Sequence, residues 1–88
     1  MHVEKIQEPL PLEMLLDGEE ARIVEVMGSP ARVHQLAEMG LHRDCRVRMI
    51  RPGQPCVLSV EGRRFSLRLD PDTCVLVSPS LNHQTGQV

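Results

Sequence analysis

Apolar residues recur along this chain with two different periods, and the change between them marks out its elements. From Cys45 the period is two: Cys45, Val47 and Met49 alternate with Arg46, Arg48 and Ile50. That pattern predicts a strand with one buried face and a basic outer one. Two more runs follow in the same style, Cys56, Leu58 and Val60 against Val57 and Ser59, then Phe65, Leu67 and Leu69 against Arg64, Ser66 and Arg68. Glu61-Gly62 between them predicts a tight hairpin. Arg51-Pro52-Gly53-Gln54-Pro55 predicts a loop, because two prolines and a glycine do not extend a ladder. Asp70-Pro71-Asp72 turns the chain into a last strand, Thr73 to Val77. Upstream, Glu19 to Met27 reads as the first strong strand. Its apolar face changes from Ala21 and Ile23 to Val24 and Val26, which predicts a bulge near Glu25.

Between these strands the period lengthens to that of a helix, and both ends of the helix are encoded. Ser29 offers a hydroxyl to the free amides of the first turn, and Pro30 suits a position whose N–H would have no partner. Gly40 permits the left-handed residue that stops a helix, with Leu41 folding back on Leu36. Val33, Leu36 and Ala37 form a narrow apolar stripe opposite Arg32, His34, Gln35 and Glu38, so one face is expected to seal a core. Earlier, Leu12, Leu15 and Leu16 at helical spacing, ended by Gly18, predict a short helical turn whose leucines cap the core. Residues 1–10 read as a weakly ordered arm able to add an edge strand, 11–78 as the domain, and 79–88 as a polar, disordered tail.

Five short hairpin-linked strands, each apolar on one face, do not bury those faces as a flat sheet in a chain of 88 residues. The expected fold is mainly β: a small five-stranded barrel, with one short helix between its first and second strands and a short N-terminal helical turn.

Composition narrows the function. Phe65 is the one aromatic residue, so stacking platforms for single-stranded nucleic acid and aromatic grooves for proline-rich peptides are disfavoured. Cys45, Cys56 and Cys74 are widely spaced and odd in number. With no signal peptide or long apolar run, they indicate a reduced, cytoplasmic setting and act as small core hydrophobes. Formal net charge is −2, yet residues 1 to 25 carry seven acids against Lys5 and Arg22, while residues 43 to 68 carry seven arginines against Asp44 and Glu61. Such polarity orients a charged partner.

Catalysis needs a nucleophile beside a base, paired carboxylates or a metal with open coordination, and no such pattern is written here. His34 and Glu38, four apart, are half of a metal site at most, with His42 or His2 as distant candidates, and read better as a solvated pair. Without Walker-type glycines the chain is not expected to bind nucleotide itself. No cofactor and no metal are therefore expected, and the chain reads as non-enzymatic.

The succession Leu12-x-x-Leu15, Gly18, Ala21-x-Ile23, Gln35-Leu36-Ala37-Glu38-Met39-Gly40-Leu41, Val47, Pro55, Gly62 and Leu67-Arg68 resembles the FeoA family, the small SH3-like cytoplasmic accessories of bacterial ferrous-iron transport. It departs from that family twice. Arg43-Asp44 stands where Pro-Gly is usual after Gly-Leu, and Gln54 where an acidic residue commonly precedes the proline. The resemblance implies a partner, the cytoplasmic nucleotide-binding part of the FeoB transporter, with self-association also open and neither nucleic-acid binding nor membrane insertion expected. Candidate contacts are His34, Gln35 and Glu38 on the helix, Met39 and Leu41 at its end, and Arg46, Arg48 and Arg68 on the basic strands. Met39 and Leu41 are equally well placed to be core, and the arginines to keep sheet edges soluble. The alternatives are an interaction module akin to the C-terminal domain of metal-dependent repressors and a small nucleic-acid-binding barrel. The repressors carry a helix-turn-helix and a metal-binding dimer domain that these 88 residues do not accommodate. Scarce aromatics and an acidic balance weigh against the second.

Overall fold

The computed structural model describes residues 8–79. Most of the expected arm, the whole tail beyond Pro79, and His2 lie outside the described residues. In order, the elements are β1 (Leu10–Pro11), a 3-10 turn (Leu12–Met14), β2 (Glu20–Met27), α1 (Pro30–Glu38), β3 (Arg46–Arg51), β4 (Cys56–Val60), β5 (Arg63–Leu67) and β6 (Cys74–Pro79). The strands form one antiparallel sheet in the order β1-β6-β2-β3-β4-β5.

Alternation produces the core as expected. Val47 and Met49 of β3, Cys56, Leu58 and Val60 of β4, and Val75 and Val77 of β6 are all buried. The bulge in β2 lies between Ile23 and Glu25, where the register against β6 shifts. Its effect is to bring Val26 opposite Val75 after Ile23 has faced Val77, so the strand returns an apolar side chain to the core face. In the hairpin Val60 pairs with Arg63, and both residues between them have positive φ, Glu61 at 52° and Gly62 at 80°. These are the signs required by a two-residue type I′ turn.

The mainly β architecture stands, but its closure does not. β1 and β5 are the two ends of the strand order, and among the described residues no ladder joins them. A sixth strand, β1, takes the place given to the arm. It is two residues long and contains Pro11, which has no amide to donate. The chain then enters the 3-10 turn, so among the described residues β1 ends before it could extend along β5. Leu12 and Leu15 of that turn and Leu36 and Leu41 of the helix end fill the core instead. Leu16, expected with them, is 69% exposed, as is Met14 at 62%.

Candidate functional site

Both ends of α1 form as the sequence specifies. Ser29 Oγ accepts from the Arg32 amide at 3.2 Å. At the other end the Leu41 amide donates to the Leu36 carbonyl and the Gly40 amide to that of Ala37, both at 2.9 Å, with Gly40 at φ 96°. This is a Schellman stop. It draws Leu41 into the core, where it is 0% exposed beside an equally buried Leu36. Leu41 is therefore removed from the candidate contact surface: the same geometry that ends the helix buries it.

The stripe on the other face is thinner than its spacing suggests. Leu36 is the one buried residue of the helix, whereas Val33 and Ala37 line an open groove of about 330 Å³ with Glu25, Val26, His42 and Arg43. The helix is held by its ends and by Arg32, whose guanidinium donates to Gln35 Oε1 at 2.7 Å and to the Arg68 carbonyl at 2.8 Å. That tether links the helix to the chain just after β5. On the outer face His34 Nε2 lies 3.2 Å from Glu38 Oε2, with 75% and 68% of the two side chains exposed. His34, Gln35, Glu38 and half-buried Met39 thus share one surface, next to the segment carrying Arg68. Met39 and Phe65 each pack against the core, and with Glu38, Arg63 and Arg64 they line a second groove of about 330 Å³.

Arg46 and Arg48 belong elsewhere, on the exposed face of β3. Arg46 stands directly opposite Arg22 of β2, and Arg48 lies between Glu20 and Ser59, which in turn faces Arg64. Arg46 and Arg48 therefore do not converge with the helix surface, whereas Arg68 lies on the segment tethered to it. Arg22 was missed because it lies in the acidic third of the sequence, and only strand register places it in this row. Like charges directly opposed on a ladder are unfavourable, and among the described residues none of these arginines lies within ion-pairing distance of a carboxylate.

The cysteines are free, Cys45 and Cys56 buried and Cys74 half-buried. Burial raises the thiol pKa of Cys45 and of Cys56 above the ordinary value of 9.0, which keeps both protonated and unreactive at neutral pH. Among the described residues no group of three or more His, Cys, Asp or Glu side chains is placed to hold a metal ion. No helix there is long and apolar enough to cross a membrane.

A family model described as the FeoA domain matches residues 10–79. Two solved structures resemble the fold. One is an iron uptake regulatory protein (FeoA), with a TM-score of 0.75 and 23% identity over 83% of this chain and 100% of that one. The other is an FeoA protein from Chlorobium tepidum, with a TM-score of 0.70 and 24% identity over 90% of this chain and 81% of that one. No curated protein matches.

Proposed function

The chain belongs to the FeoA family, and from that premise we propose that it is a non-enzymatic cytoplasmic accessory of ferrous-iron uptake, which docks on the cytoplasmic nucleotide-binding part of a FeoB-type transporter. The observation that carries the reading is the helix surface. His34, Gln35, Glu38 and Met39 lie together at the end of an element fixed by two caps and by the Arg32 tether. A rigid, mostly polar surface with one apolar residue at its margin suits a reversible protein contact. The test is binding of the full chain to the isolated cytoplasmic domain of the transporter from the same genome. Binding is expected, and His34→Glu with Glu38→Lys should weaken it by about tenfold or more through lost contact and altered charge. Absence of binding by the folded protein at high concentration would sink the reading.

The exposed arginines of β2, β3 and β5 favour a second reading, a nucleic-acid interface, although Glu20 and Glu61 interrupt that face. Salt-sensitive binding to duplex or single-stranded DNA would support it.

A further inference from the structure

The two edges of the open sheet are unlike each other. β1 has two residues and a proline, so it offers almost nothing to a further strand. β5 is five residues long, has no proline, pairs with β4 without a register shift, and among the described residues has no ladder on its other side. No backbone hydrogen bond beyond that ladder involves Arg63 to Leu67 among the described residues. Such an edge is a template for strand addition.

Side chains at this edge give the template a chemistry. On the core side, Phe65 and Met39 are only partly buried and line the groove beside the strand, with Arg63 at its end. On the outer side Arg64 is exposed, opposite Ser59 of β4. Neither arginine is ion-paired among the described residues. Because side chains alternate across a strand, an added strand presents successive residues to Arg63, Arg64 and Phe65, the first and third on the core side, where Met39 and Glu38 line the groove, and the second on the outer side. The residue facing Arg64 is favoured as an acid and the one facing Phe65 and Met39 as an apolar anchor. The same arginines disfavour a second basic edge and select an acidic segment.

We infer that the free edge of β5, with Arg63, Arg64, Phe65 and Met39, is a strand-addition site for an extended segment of a partner protein that alternates acidic and apolar residues. The inference rests on the docking reading for the source of the segment, and it supplies the chemistry by which that segment is recognised.

The probe is an eight-residue synthetic peptide alternating glutamate with valine, titrated into the isotopically labelled full chain and followed by amide NMR shifts and hydrogen exchange. Saturable shifts confined to Arg63–Leu67, Met39 and their neighbours are expected, with slowed exchange in β5. Replacing glutamate by lysine, or making Arg63→Gln with Arg64→Gln in the protein, should weaken binding by about tenfold. Two N-methylated isomers, one blocking each edge of the peptide, should differ, one binding and the other not. Shifts centred on Arg22, Arg46 and Arg48, or equal binding by both isomers, would overturn the inference. Peptide binding at β5 without binding to the transporter domain would retain it and end the docking reading. Transporter binding with no peptide response would do the reverse.

Discussion

Gly40 is the residue on which the helix stop depends, and its replacement by alanine has a calculable cost. Gly40 has φ 96° and Gly18 has φ 84°, so alanine meets a left-handed backbone at either site. A Cβ on Gly40 would lie 3.1 Å from Val60 Cγ1, whereas one on Gly18 would have nothing within 4 Å. Left-handed geometry costs an ordinary residue about 1–2 kcal/mol, and alanine recovers about 0.4–1 kcal/mol by restricting the unfolded chain. Gly18→Ala is therefore expected to cost about 0–1.6 kcal/mol. Val60 is β-branched, 2% exposed and fixed in β4, so it yields poorly, and Gly40→Ala should cost about 1 kcal/mol more than Gly18→Ala. For a domain of this size that difference lowers Tm by about 4–8 °C. With no Trp or Tyr in the chain, the assay is urea unfolding followed by far-UV circular dichroism. Adding Val60→Ala should relieve the contact and give a coupling of about 1 kcal/mol in the double-mutant cycle. Equal costs at Gly18 and Gly40, or strict additivity with Val60→Ala, would refute the reasoning.

Three other outcomes follow from single interactions. Glu61→Asn should stabilise by about 0.5 kcal/mol, seen as a higher urea midpoint at unchanged slope, because Asn tolerates the positive φ of this turn better than Glu. Gln54→Glu should destabilise by about 1 kcal/mol in the same assay: the Gln54 amide donates to the Leu69 carbonyl at 2.9 Å, and an ionised carboxylate has no proton to donate. Because burial raises the Cys45 and Cys56 thiols above 9.0, the folded state holds their protons longer than the unfolded one. Their contribution is complete below the unfolded value and is lost as pH rises towards the folded value, so urea midpoints should hold level to about pH 8 and then fall, less steeply in Cys56→Val.

Local signals were legible and non-local ones were not. Ser29, Pro30, Gly40 and Leu41 act within a few residues of one another, so both helix ends could be read without knowing the fold. The alternation around Val47, Leu58 and Leu67 was equally plain, since burial on one face imposes it directly. Periodicity does not report depth, however, and Val33 and Ala37 share the spacing of Leu36 while lining a groove. Closure of the sheet depended on how far the segment around Leu10 and Pro11 continues as a strand, which apolar spacing does not encode. The facing of Arg22 and Arg46 depended on register between strands separated by the whole helix. Of the candidate contacts, His34, Gln35, Glu38 and Met39 accordingly lie together at the end of the helix, Arg46 stands beside an Arg22 that only register brings to it, and Leu41 is buried by the helix stop.

Both departures from the usual family pattern have work inside the fold. Asp44 occupies the position where glycine is usual and takes φ 70°, the left-handed conformation glycine would supply, while its amide donates to the Ile23 carbonyl at 2.8 Å. Aspartate adopts this geometry more readily than most residues. Arg43 Nε donates to the Val24 carbonyl at 3.2 Å, on the bulged residue of β2. A bulge leaves such a group without its ladder partner, and a proline at position 43 would have no side-chain donor to offer it. Gln54 does the same for the Leu69 carbonyl beyond the end of β5. In each case a polar side chain covers a carbonyl at an irregular point of the sheet. Sequence departures at these two loops thus preserve the fold by another route, and differences in partner choice are better sought on the helix surface and along the free edge of β5, where the exposed side chains have no such internal duty.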